Sequence, residues 1–304
     1  MKMIRYARFG PPEVLEMVEA PQPHAGPGQI RISVEAAGIN PHDWRSRRGQ
    51  FERVRPLDLP AGVGQDAAGV VDEIGPGVHS VSIGDEVFGR GTSTYAEYAV
   101  LSSWAPKPDT LTFAQAAGYP SVSETALRVL DEIDVPPGGT LLVSGAAGGV
   151  GSAVVQIAID RSIDVIGIAG AQNQEYLHAL GARATTYGTG WVDRARALGP
   201  VDAALDLSGS GVLPGLLELV GDRHRVITIA DLESAMLGIR FSGVGGDMTI
   251  ALNTTVDLIR RGVLSIPISQ TYPLSDAARA HEDSEAGHTR GRRVIDIRRE
   301  TAPT

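Results

Sequence analysis

The sequence predicts an α/β protein in which a β-rich region precedes a parallel βαβ sheet. The run from Leu141 to Val155 reads as an apolar strand that enters a glycine turn and then a helix. From there strands alternate with helices to about residue 260, as a parallel sheet requires. Residues 1 to about 120 break instead into short strands separated by Gly and Pro.

In the β-rich region, Ile30 to Val34 alternates as a half-buried strand does, Ala68 to Ile74 is a second strand, and Val81 to Gly89 holds a turn between apolar segments. Near Ser121 to Leu127 the period becomes helical, with Ser121 or Ser123 placed to cap the start. Pro136, Pro137, Gly138 and Gly139 then break the chain before the glycine-turn strand. Asp164 to Gly170 is the next parallel strand, and Leu177 to Gly181 closes a helix at glycine. Val201 to Asp206 and His224 to Ile229 supply further strands on either side of the apolar stretch Leu213 to Val220, and Arg292 to Ile297 reads as a strand returning to the first domain.

Small residues at Ala147, Gly148, Gly149, Val150 and Gly151 let the backbone approach a pyrophosphate, while the helix that follows directs unpaired N–H groups at negative charge. Ala146 interrupts a full Gly-x-Gly-x-x-Gly, although Gly145 and Gly149 add freedom beside it. The strand from Asp164 ends without the Asp or Glu that would hold a ribose 2′-hydroxyl. Gly170, Ala171, Gln172 and Asn173 leave polar space for a 2′-phosphate, with Arg183 and Tyr187 as contributors from the next loop, so NADP(H) is the expected cofactor. Ser144, Ser208, Gly209 and Ile229 follow or end strands of this sheet, where the crevice forms, and join the expected cofactor residues.

Composition narrows the function. The 304 residues include 37 glycines, which favours many tight turns over a helical bundle. A formal charge of −9 offers no general attraction to nucleic acid, and the Arg45–Arg48 and Arg290–Arg293 patches lack aromatic interleaving. Without cysteine there is neither a disulfide nor thiol catalysis, and the seven scattered histidines form no His-Glu-x-x-His. No segment has the length of a membrane span, and the first residues do not read as a signal peptide, so a cytoplasmic location is expected.

The segments Ala37-Gly38-Ile39-Asn40-Pro41-His42-Asp43, Gly64-Gln65-Asp66-Ala67-Ala68-Gly69-Val70-Val71, Ala146 to Gly151 and Leu180-Gly181-Ala182, with Tyr272 to His281 near the end, occur in an order that resembles the zinc-free quinone oxidoreductase branch of the medium-chain dehydrogenase/reductase superfamily. The resemblance covers nearly the full length. It implies a GroES-like β-rich substrate domain over 1–122, a Rossmann NADP-binding domain over 123–260, and a return to the substrate domain over 261–304. It further implies a homodimer that transfers hydride from NADPH to quinones or activated alkenes. Zinc-bearing relatives carry Gly-His-Glu and a cysteine where Gln65 and Asn40 stand here, so a zinc alcohol-dehydrogenase mechanism is not expected.

Asn40, Asp43 and Tyr119 are the expected catalytic residues. The Asn40 amide is suited to donate to an acceptor carbonyl, or else caps a turn; Asp43 orients Asn40, or stands as a helix-start carboxylate. Tyr119 and His42 are proton-donor candidates, with packing and a surface turn as their plainer roles. The resemblance also brings Thr125 to the nicotinamide. Arg45, Arg47 and Arg48 beside Trp44 either attract an anionic substrate or form a charged rim. An enoyl-thioester reductase and a non-catalytic NADPH-binding regulator are the alternative functions.

Overall fold

The computed structural model describes residues 1–54, 56–243 and 245–298. The chain forms two compact units, one of Met1–Ser121, Met248–Arg260 and Ile266–Thr304, the other of Val122–Asp247 and Arg261–Ser265.

In the first unit the strands Ile30–Gly38, Asp66–Ile74, Glu86–Thr92 and Tyr98–Pro106 pair antiparallel in succession. Tyr98–Pro106 also pairs back onto Ile30–Gly38, so the sheet closes on itself and leaves no free edge there. Alternation along Ile30–Gly38 sends Ile30, Ile32 and Val34 inward against Val71, Val87 and Leu101. Arg292–Asp296 lies on the other end of Ile30–Gly38 and pairs in parallel with Ile268–Pro273. A separate three-stranded sheet is built on Lys2–Tyr6. Within the span expected for the nucleotide domain, the helix Met248–Arg260 groups with this first unit, where it packs on Tyr98–Pro106.

The second unit is a six-stranded, wholly parallel sheet. Numbered along the chain from Thr140–Ser144, its strands lie in the order 3-2-1-4-5-6, the Rossmann arrangement. The strand order reverses between Asp164–Ile168 and Ala203–Asp206, which flank Thr140–Ser144, so the crevice opens at the carboxyl end of the glycine-turn strand. Thr140–Ser144 is buried throughout, as a central parallel strand must be.

The helix expected to start at Ser121 or Ser123 runs from Pro120 to Ile133. Both serines fall inside its first turns, and neither is the cap. Proline suits a first helical position because its missing N–H would have had no partner there.

Candidate active site

In the second unit the glycine turn has the shape a pyrophosphate needs. Gly145 sits at φ +77°, a left-handed conformation that only glycine adopts without strain. Gly148 stands at the N-terminus of Gly149–Asp160, and no side chain caps that end. A twelve-residue helix thus presents free N–H groups and the positive end of its dipole to the crevice. A Cβ on Gly151 would lie 2.1 Å from the Gly145 carbonyl oxygen, so the helix approaches the turn as closely as backbone allows. Ala146 is fully buried, its Cβ turned toward Gly167 of the neighbouring strand. The expected first-position glycine is replaced without opening the turn.

Three of the expected cofactor residues meet in one hydrogen-bonded group. The Ser144 hydroxyl lies 2.7 Å from that of Ser208 and 3.2 Å from that of Tyr187, and the Gly145 N–H donates to the Tyr187 hydroxyl at 2.6 Å. Asp206, fully buried, fixes the neighbouring loop: one carboxylate oxygen accepts from Ser208 N–H and hydroxyl and from Gly209 N–H, the other from Thr228. Sequence reading placed Asp206 only at a strand end; its role as anchor rests on the parallel pairing of its strand with Val226–Thr228. Ile229 follows that strand and its N–H donates to the Asp206 carbonyl.

After Asp164–Ile168, residues Ala171–Asn173 form a single 3₁₀ turn with Asn173 buried. The Gln172 side chain lies over Gly170, where a Cβ would come within 2.7 Å of it. Arg183 is committed elsewhere: it pairs with Asp164 and donates to the Leu198 carbonyl. Thr125 lies within the Pro120–Ile133 helix and its hydroxyl donates to Glu124, which is itself ion-paired with Arg128 at 2.8 Å. That buried pair had no expected role.

In the first unit the Asn40 segment forms a second, denser polar cluster. Asn40 is the N-cap of Pro41–Arg47, and its N–H donates to Asp43 Oδ2 at 2.9 Å. Its side-chain amide donates to Asp66 and accepts from Arg292, at 2.9 and 3.0 Å. Asp66 also takes the Ser121 hydroxyl at 2.6 Å. Asn40 is therefore braced from both sides, and one of its amide hydrogens is left for another acceptor. Asp43 is 3 % exposed; Oδ2 also accepts from Tyr95 at 3.0 Å, whereas Oδ1 has no hydrogen-bond partner among the described residues. Burial is the main cause that pushes the Asp43 carboxyl up to about 7, with Asp66 adding to it and the Asn40 N–H, Tyr95 and Arg292 opposing it.

Asp43 lines a cavity of about 220 Å³ together with Tyr6, His42, Phe51, Leu57 and Gln65. The His42 and Phe51 rings stack at 5.2 Å, giving a flat aromatic wall. Tyr6 and Phe51 carried no sequence signal, whereas Gln65 sat in a motif already read for its missing zinc ligand. Tyr119 lies outside that lining; it is buried, and its oxygen accepts the Ile266 N–H at 3.2 Å. The arginine cluster is a helix clamp rather than a substrate-steering patch: Arg47 and Arg48 both hold Glu285, and Arg45 covers the Trp44 ring at 5.3 Å. Among the described residues no group of three His, Asp or Glu is placed to hold a metal, and the sequence has no cysteine.

Two family models match the chain, the alcohol dehydrogenase GroES-like domain over residues 26–109 and the zinc-binding dehydrogenase over 180–295. The quinone oxidoreductase of Rattus norvegicus is 31 % identical over 313 residues, covering 93 % of each chain. The chain belongs to the quinone oxidoreductase family. Among solved members, the quinone oxidoreductase from Coxiella burnetii superposes with a TM-score of 0.87 at 33 % identity, over 98 % of this chain and 99 % of that one. The Escherichia coli quinone oxidoreductase complexed with NADPH gives 0.85 at 25 % identity, over 97 % and 100 %. The quinone oxidoreductase fold accounts for both units.

Proposed function

We propose that the protein is a zinc-independent, NADPH-dependent reductase of quinones, enones or related activated alkenes. The observation that carries this reading is the glycine turn at the switch point of a 3-2-1-4-5-6 parallel sheet, in a chain whose full length follows the quinone oxidoreductases. NADPH supplies hydride when bound; the protein's own contribution is to hold the partners and polarise the acceptor. Backbone N–H groups of Gly149, Val150 and Gly151 hold the pyrophosphate, with Ala147 and Gly148 forming the turn before them. Ser144, Tyr187, Ser208 and Gly209 hold the remainder from the strand ends, Ile229 borders them, and Thr125 contacts the nicotinamide. Gly170 and Asn173 frame the 2′-phosphate, in keeping with the lack of an acidic residue at that strand end.

Oxidation of NADPH by the purified protein across quinones, small enones and enoyl thioesters, with product identification and an NADH comparison, tests the reading. Acceptor-dependent oxidation with a reduced organic product supports it. Turnover confined to enoyl thioesters moves the protein to a thioester reductase, and NADPH binding without turnover on any acceptor moves it to a nucleotide-responsive regulator.

The same reading includes a homodimer in the cytoplasm. Arg240–Phe241 is the last strand of the parallel sheet, and Leu232, Met236, Leu237 and Phe241 are exposed on or just before it. An open strand edge beside exposed apolar side chains is a ready surface for a second copy. Phe241→Glu is expected to shift the sedimentation coefficient from dimer to monomer; an unchanged coefficient removes this edge as the interface. No described helix is long and apolar enough to cross a membrane.

A further inference from the structure

We propose that Arg194 supplies the positive charge that recognises the 2′-phosphate of NADPH, an assignment that rests on the NADPH-dependent reading above. The stretch expected to face that phosphate, Gly170–Gln174, contains no charged side chain. A phosphate is preferred over a hydroxyl chiefly through a cation, so the charge has to come from another part of the second unit.

Both lysines, Lys2 and Lys107, belong to the first unit. Apart from Arg194, the arginines of the second unit are each paired with a carboxylate, except Arg223 and Arg225. Those two directly precede the strand Val226–Thr228, at the amino end of the sheet and so opposite the crevice.

Arg194 stands at the other end. Thr185, the last residue of the strand Arg183–Thr185, is in register with Ile168, the last of Asp164–Ile168, so the segments that follow leave the sheet side by side. The Gln174 side-chain amide ties them together, donating to the carbonyls of Ala169 and Thr185, each at 3.1 Å. Arg194 Nη1 donates to the Thr189 carbonyl at 2.7 Å, and Nη2 to those of Thr186 and Tyr187 at 2.9 and 3.0 Å. Tyr187 thus holds the cation through its backbone while its hydroxyl takes the Gly145 N–H of the glycine turn.

The three acceptors on Arg194 are neutral, and the acids beside it, Asp193 and Glu218, pair with Arg196 instead. Its charge is therefore uncompensated by any carboxylate among the described residues. The carbonyls fix the guanidinium in advance, which lowers the ordering cost of binding, and leave Nε–H and one Nη1–H for phosphate oxygens. The side chain is exposed, so an incoming phosphate can reach it.

The test is calorimetric titration of the protein with adenosine 2′,5′-bisphosphate and with 5′-AMP, which differ in the 2′-phosphate and need no turnover, repeated with NADPH and NADH. The wild type binds the 2′-phosphorylated member of each pair more tightly, and the margin narrows as salt is raised from about 50 to about 300 mM. Arg194→Gln narrows the margin by about tenfold or more and removes most of its salt dependence, whereas Arg194→Lys, which keeps the charge, retains part of it. A clamp that only shaped the loop would weaken both members of each pair alike, so equal losses in Arg194→Gln overturn the assignment, as does an unchanged margin. A wild type that binds NADPH with no margin for the 2′-phosphate overturns the assignment while leaving the reductase reading standing. No binding of NADPH or NADH to the wild type overturns that reading, and this assignment with it.

Discussion

Asn40 shows how a single side chain is held by parts of the chain far from it in sequence. Its amide joins Asp66 and Arg292, so its removal deprives a buried carboxylate and a buried guanidinium of a partner at once. Asn40→Ala is expected to cost about 1–3 kcal/mol of stability as well as turnover, with NADPH affinity retained; urea unfolding alongside kcat separates the two effects. His281 supplies a pH prediction. It is fully buried, neither ring nitrogen has a described partner, and burial, with Arg47, lowers its pKa to about 3. The unfolded chain takes up this proton below about 6.5 while the folded chain refuses it, so stability falls as pH drops from 6.5 toward 3. Asp43 has the opposite sign: raised to about 7, it withdraws stability as pH rises from its ordinary value of 3.8. His281→Leu should therefore gain roughly 2 kcal/mol on the wild type at about pH 5 relative to about pH 8. Equal differences in the urea midpoint at the two pH values would refute this.

At the scale of elements, the strand, turn and helix around the glycines were legible because each rests on local chemistry: an apolar run, residues without bulk, then a helical period. The close approach of Gly151 to Gly145 makes that segment intolerant of even one methyl group. Gly151→Ala is expected to weaken NADPH binding by more than about tenfold and to cost about 1–3 kcal/mol, read by fluorescence titration and thermal unfolding. Wild-type affinity would show that the turn shifts freely. What stayed hidden was of two kinds. Ser121 and Ser123 are both good caps, so propensity could not show that Pro120 starts the helix and that Ser121 spends its hydroxyl on Asp66. Arg292 stands 252 positions from Asn40, beyond any periodic signal. The cavity wall is similar, since Tyr6 and Phe51 join Asp43 through tertiary folding alone.

Across the whole molecule, the two architectures were legible in order along the chain, because one alternates with a period of two between turns and the other alternates strands with helices. Helix Met248–Arg260 was the exception: it follows the parallel strands in sequence, yet its packing surface is Tyr98–Pro106. At the level of the intact protein, NADPH at about 100 times its Kd should stabilise the folded state by about 2.7 kcal/mol. NADH at the same concentration should raise the unfolding temperature less, and an equal or larger rise would remove the NADP preference. The strand Ile30–Gly38, already paired on one end with Arg292–Asp296, also has a consequence for biosynthesis. A ribosome releases the whole parallel-sheet unit before it delivers Arg292, so the nucleotide-binding half completes its contacts while the first-made barrel still waits for its last strand. Until then Asn40 and Asp66 lack their cation, and the nascent chain has a finished cofactor turn before it has a finished Asn40 cluster.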